Sequence, residues 1–434
     1  MSTDLPSSIP SGPAAIASGT TAAPFGGLPG EPSGALPGGR AGATRSPGRA
    51  GAGPWSGLPE LAELPLADHH VHSVFRGDLD RAAFEEAITE SGSPAPACTT
   101  QFDSQIGFAV RRWCAPVLDL DPHAPPDEYL ARRNRLGHAE VNRRLLRASG
   151  SSEFLVDTGF GADLLESNAR MAVLSGAVVR EVTRLEPVAE ELAASGVGAG
   201  EFADRYATAL AEASAGSVGL KSIVAYRGGL DFDPAPPTPR EVAEAAGQWL
   251  RTASGTGPNS RLDHPVLLRH VLWQGVERGL PIQFHTGYGD ADVDLPRCDP
   301  LHLKGFIERV APRGTPVMLL HCYPFHRHAG FLAQIYPHVY FDVGLGVNYV
   351  GARARAILAE SLELAPFAKI LFSSDAWGPA ELHHLGALLW RRGMAAVLGD
   401  FVARDEWSRD EALRVARMIG RYNAVRVYGL EDVA

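Results

Sequence analysis

Short apolar runs alternate with stretches of helical spacing from residue 64 to the end of the chain, and this rhythm constrains the fold more than any other feature. The runs are Leu64–Ala67, Phe154–Thr158, Val178–Leu185, Val218–Tyr226, Pro281–His285, Val317–His321, Val339–Val343 and Ile370–Ser374. Between them lie segments such as Arg240–Arg251, Pro265–Gly279, Pro300–Val310, Ala352–Leu364 and Pro379–Leu398, which have the spacing or composition of helices. Strand alternating with helix predicts an α/β protein with a parallel sheet. A set of eight such units in one stretch predicts a closed (β/α)8 TIM barrel.

Two segments break the rhythm. Residues 1–57 are dominated by Gly, Pro, Ala and Ser. They lack the apolar surface needed to offset their ordering entropy, so a disordered tail is expected, with the barrel over 58–434. The gap between the first two runs is far longer than a usual crossover. Its residues 80–150 are arginine-rich, with helical character at Asp127–Arg147. This predicts a helical insertion after strand 1, lying over the C-terminal face as a cap. The last segment, Arg409–Tyr428, reads as a closing helix with Gly429 at its C-terminal cap.

The first run leads into Asp68-His69-His70-Val71-His72. Side chains two apart on a strand share a face. Asp68, His70 and His72 therefore point one way, and His69 and Val71 the other. Paired imidazoles at a strand end can hold a divalent ion such as zinc, and Asp68 can join them or orient one. Later runs end in similar groups: His285 after the fifth, His321 at the end of the sixth, Asp375 after the eighth. Alone, either histidine is as well explained as a core residue, and Asp375 as a helix cap. Together, at the ends from which barrel enzymes build their sites, they predict one or two divalent ions. Such an ion makes water reactive near neutral pH, and Asp375 is placed to accept the proton.

The pattern Asp68-x-His70-x-His72, His285, His321 and Asp375 resembles the amidohydrolase superfamily. The segments Gln283-Phe-His-Thr-Gly-Tyr-Gly-Asp290, Leu320-His-Cys-Tyr-Pro324, Phe372-Ser-Ser-Asp375 and Lys221-Ser-Ile-Val-Ala-Tyr-Arg227 are similar to the amidohydrolase-like domain of nodulin and FluG-type proteins. Those domains are often joined to a glutamine synthetase, and no synthetase segment follows Asp375 here. The resemblance implies a metal-dependent barrel enzyme, commonly a hydrolase of amide-type bonds. It also implies that Lys221 is carbamylated and bridges two metals, and that Tyr226 donates to the tetrahedral intermediate. Lys221 could instead pair with an acid low in the barrel. The site would then hold one ion on His70, His72, His285 and Asp375, with His321 orienting substrate or water.

Arg227, Tyr288 and Glu186 are the expected substrate contacts; Arg227 could equally form a surface ion pair, and Glu186 could pair with Arg184. Asp290 shares the loop of Tyr288. His326 and His328 are expected to be solvated, and His383 and His384, being adjacent on a helix, face different ways. A net charge of −10 disfavours nucleic acid. No apolar run has the length of a membrane span. Four scattered cysteines without a C-x-x-C and no secretory signal fit a cytoplasmic protein. The leading expectation is a hydrolase acting on an amino-acid conjugate as its small-molecule partner. The alternatives are a metal-dependent decarboxylase or lyase of the same superfamily, and a non-enzymatic signalling protein. Fold analogy with dimerising relatives leaves a homo-oligomer open.

Overall fold

The computed structural model describes residues 57–256 and 261–430, excepting the side chains of 253–256. The expected disordered tail thus falls, but for residue 57, outside the described residues. Seven parallel strands are hydrogen-bonded in sequence order: β1 (Leu66–Val71), β2 (Ser151–Asp157), β3 (Val178–Arg184), β4 (Gly219–Ser222), β5 (Ile282–His285), β6 (Val317–Leu320) and β7 (Val339–Phe341). All strand residues of β1, β4, β5 and β6 are buried. That is the pattern of a parallel sheet covered on both sides.

The eighth expected run forms no strand. It makes an isolated bridge from Phe341 to Ile370. Leu371 N–H donates to Phe341 O at 3.0 Å, while His69 N–H donates to Phe372 O at 3.2 Å and Asp375 N–H to His70 O at 3.1 Å. The segment therefore bonds to β7 on one side and β1 on the other, without strand regularity. Asp68 contributes to that join and not to the cluster of His70: its carboxylate accepts from Ser374 N–H at 2.9 Å and Ser374 Oγ–H at 2.5 Å. Burial pushes Asp68 up to about 8.

Between β1 and β2 lie the helices Arg81–Glu86, Gln105–Ala109, Pro126–Leu136 and His138–Ser149. Gly137, at φ +77°, separates the last two, so the expected single helix is broken there. A buried Arg133–Glu381 ion pair at 2.9 Å ties this region to the helix Ala380–Ala403, which follows Asp375. Tyr129 Oη–H donates to the same carboxylate at 2.9 Å. The closing segment is helical from Arg409 to Tyr428 with a π turn at Met418–Tyr422, and Gly429 ends it at φ +61°. Among the described residues no helix is long and apolar enough to cross a membrane.

Candidate metal centre

Ligand atoms of His70 (end of β1), His321 (just after β6) and Asp375 lie within 4.8 Å of one another. His70 Nε2 is 3.0 Å from Asp375 Oδ1, and His321 Nε2 is 3.5 Å from Asp375 Oδ2. The ring protons can be placed. Gln283 Nε2–H donates to His69 O at 2.7 Å, and a carbonyl only accepts, so the amide oxygen of Gln283 must face the other way. That oxygen meets His70 Nδ1 at 2.9 Å. His70 therefore carries its proton on Nδ1 and turns a lone pair on Nε2 toward the cavity. His321 Nδ1–H donates to Thr286 O at 2.9 Å, and His72 Nδ1–H to Asp157 O at 3.0 Å, with the same consequence. Burial holds the pKa of His70 well below normal and that of His321 at about 4, so neither imidazole gains a second proton near neutral pH.

Lone pairs on two imidazoles thus face a carboxylate with no proton between them. A divalent cation is the group this donor set fits. Lys221 Nζ stands 3.2 Å from His70 Nε2, and burial pushes it down to about 8. His285 adds a further donor: its Nε2 is buried with no partner among the described residues, and its ring lies 4.4 Å from that of His321. His72, with its ring 5.5 Å from that of His70, lines the same cavity. The close group is His70, His321 and Asp375, so His321 stands with the ligand candidates and is not set apart as a substrate-orienting residue.

His69 shows how the opposite face of β1 is used. Its Nε2–H donates to Asp342 Oδ2 at 3.0 Å, and its Nδ1 accepts from Tyr428 Oη–H at 3.0 Å. Asp342 also accepts from His321 N–H at 2.9 Å, Gly344 N–H at 2.8 Å and Ser373 Oγ–H at 2.6 Å. These donors, chiefly the His69 contact, hold its carboxyl well below the usual range against the effect of burial. The backbone is strained at this point: His321 and Asp375 have φ of +47° and +49°. Such values are uncommon outside glycine and persist where surrounding bonds over-determine them.

Residues 191–430, more than half of the chain, match the Amidohydro_2 family, described as amidohydrolase. The chain belongs to this family. It is 29% identical over 405 residues to the protein fluG of Emericella nidulans, an alignment covering 85% of the chain and 46% of that protein. The chain therefore spans about half the length of this curated relative. A proposed metal-dependent hydrolase from Lactobacillus casei has a similar structure, with a TM-score of 0.75, 28% identity, and coverage of 86% and 96% of the two chains. The uronate isomerase of Thermotoga maritima, at 12% identity and a TM-score of 0.56 over 88% and 99%, shares the fold. This amidohydrolase-family chain is thus TIM-barrel-like, with a His70, His321 and Asp375 group that could hold a metal ion.

The cavity above the cluster has a volume of about 710 Å³ and is lined by His70, His72, Lys221, Tyr226, Arg227, His285, His321 and Asp375 among others. Tyr226 does not extend β4 as expected; with Arg227, it lies on the short helix Val224–Gly228. The Tyr226 ring packs on His285 at 4.3 Å. Arg227 is held by Glu190 at 3.0 Å. Glu186 stands outside the lining: it is fully buried and accepts from Ser222 Oγ–H at 2.7 Å and Ile223 N–H at 2.9 Å, with no ion pair to Arg184. Tyr288 also lies outside it, edge-on to Tyr349 with ring centres 5.7 Å apart. His328 is solvent-exposed as expected, with Nδ1 2.8 Å from Asp299, whereas His326 is buried with Nε2 2.7 Å from Glu360. His383 supports the site indirectly, donating from Nε2 to His72 O at 3.0 Å.

Several lining residues are not among those expected from the sequence: Glu90, Phe160, Arg184, Arg261, Asp292, Tyr349 and Trp377. Arg184 is the one a strand-end reading could have found, since it closes β3. It grips Asp157, at the end of β2, with Nη2–Oδ2 2.6 Å and Nε–Oδ2 3.1 Å.

Proposed function

We propose that this protein is a metal-dependent hydrolase that cleaves an amide-type C–N bond, with an amino-acid conjugate as substrate. The observation that carries the reading is the convergence of His70 Nε2, His321 Nε2 and Asp375 with both lone pairs turned inward at the floor of one cavity. His70, His321 and Asp375 would hold the ion, with His72 and His285 beside them, and zinc suits this nitrogen and oxygen set. When bound, the ion supplies Lewis acidity toward a carbonyl oxygen and toward water.

The chain's own groups supply the rest. Asp375 takes the proton of the attacking water and returns it to the leaving nitrogen. Tyr226, with burial holding its phenol well above the usual pKa, keeps its proton and donates it in a hydrogen bond to the developing oxyanion. Glu86, Ala87 and Thr89–Gly92, at the end of the first helix beyond β1 and just after it, line the cavity. Four free cysteines accord with a reducing, cytoplasmic setting.

A lyase reading draws on the compact three-residue cluster, which suits a single ion. Incubating zinc- or manganese-loaded protein with a panel of γ-glutamyl and N-acyl amides decides between them. Amine release, lost in Asp375→Asn, supports hydrolysis. Carbon dioxide release from aromatic or enol acids, with no amine from any amide, refutes it.

A further inference from the structure

The charges lining the cavity are unevenly satisfied. Each guanidinium already has a carboxylate: Arg184 has Asp157 at 2.6 Å, Arg227 has Glu190 at 3.0 Å, and Arg261 has Asp292 at 3.0 Å. Arg261 also donates to Tyr226 O at 3.0 Å, and the Nε of Arg227 is buried out of solvent. The cavity arginines, which could otherwise bind an anionic substrate, are therefore neutralised by their neighbours. Glu86, Glu90 and Asp290 line the cavity with no Lys, Arg or His ion-pair partner among the described residues, and Glu90 and Asp290 are the two close enough to repel each other. Glu90 has only the neutral Tyr349 hydroxyl beside it, and Asp290 bonds the Asp292 N–H at 2.9 Å.

A second feature points the same way. The cavity wall carries the rings of Phe160, Tyr226, Tyr349 and Trp377. Phe160 is 52% exposed, packs against Trp377 at 5.7 Å and already takes the Arg184 guanidinium 5.6 Å from its ring centre, so this wall is built to hold cations. Aromatic faces are electronegative and attract cations, most strongly when desolvated. An anionic group would meet these faces and two uncompensated carboxylates. A protonated amine at that carboxylate pair would meet partners; the lining ammonium of Lys221 lies instead at the histidine cluster, 3.2 Å from His70 Nε2.

We propose that the substrate carries a protonated amino group away from the bond that is cleaved, held by Glu90 and Asp290 against the aromatic wall. This deepens the amide-hydrolase reading and rests on it for the bond cleaved, but not for the cation site. Burial raises both carboxyls, Glu90 to about 7, and for Asp290 it does so against the opposing charge of Arg261. The ammonium can sit on the acyl part or on the amine part of the amide.

The test uses four amides: glutaryl or γ-glutamyl on the acyl side, pentylamine or 1,4-diaminobutane on the amine side. Each end thus exists with and without an ammonium at nearly constant shape. Binding is measured by calorimetry on zinc-loaded Asp375→Asn, and turnover on zinc-loaded wild type. We expect at least one ammonium amide to bind about tenfold or more tighter than glutaryl pentylamide. The end at which the ammonium acts identifies its source. Adding Glu90→Gln, or separately Asp290→Asn, should shrink that ratio to below about threefold. Equal binding of all four overturns the proposal even if all are hydrolysed. Selective binding without amine release in the wild type overturns the hydrolase reading and leaves the cation site standing.

Discussion

His70 donates its Nδ1 proton to the side-chain oxygen of Gln283 at 2.9 Å, and this bond turns the Nε2 lone pair toward Asp375. Gln283 is itself oriented by His69 O at 2.7 Å and by the Tyr428 hydroxyl at 2.8 Å. Removing the amide should free the ring to rotate or change tautomer. Gln283→Leu is expected to weaken zinc binding by about 10- to 100-fold, the usual cost of losing an outer partner of a ligand histidine. Competition against a chromogenic chelator reads this directly, and an unchanged affinity would show that the tautomer of His70 is set elsewhere.

Lys221 Nζ lies 3.2 Å from His70 Nε2 and competes for that lone pair while it is an ammonium. Burial brings its pKa down to about 8, whereas the His70 and His321 values are lowered below the ordinary 6.5. Between pH 7 and 9 the histidines are already neutral, and the lysine is the group in contact with the His70 lone pair that loses its proton in this range. Its lowered pKa means the cation is present below about 8 and lost above it. Metal affinity should therefore rise with pH up to about tenfold per unit below pH 8 and then level off. Lys221→Met should flatten the curve; a slope that survives the substitution assigns the proton to another group.

Gly289 passes so close to the site that a Cβ would lie 2.2 Å from Tyr226 Oη and 2.9 Å from His285 Cε1. Neither ring can retreat without leaving its place. Gly289→Ala should lower kcat/KM by more than about tenfold, because small misplacements of reacting groups cost that much. Melting temperature should change by only a few degrees, since the clash is confined to the cavity wall. Wild-type kinetics in the variant would remove Tyr226 from the reaction.

The Arg133–Glu381 pair is buried on both sides and joins the segment after β1 to the helix after Asp375. Removing one partner leaves an uncompensated charge in the interior. Arg133→Met is expected to cost about 3–5 kcal/mol of stability in urea unfolding. Arg133→Met with Glu381→Leu should recover part of that loss, because the stranded carboxylate is gone. If the double variant is no better than the single, the pair matters through packing alone.

The legible part of the fold was the part carried by local periodicity. Seven of the eight expected runs overlap strands β1–β7, and the intervening helices fall near their expected spans, because side-chain alternation and helical spacing are properties of neighbouring residues. The eighth run failed as a strand because its backbone is committed to two different edges: Leu371 bonds β7, and Asp375 bonds β1. Asp375 is further bent out of extended geometry by its φ of +49°. The same segment captures Asp68 through Ser374, across 306 residues of chain, and no reading of β1 alone could have anticipated that.

The sequence by itself determined which side chains stand at the strand ends, hence His70, His285, His321 and Asp375 as one chemical set, since strand direction and period follow from local pattern. Only the tertiary structure decided which of them close on a common point, which ring nitrogens keep their protons, and that each cavity arginine is already spent on a carboxylate. The physical reason is that such pairings depend on distances between residues remote in the chain. Burial then multiplies the consequence of each one, because in a dry interior a proton or a charge has no water to stand in for a missing partner.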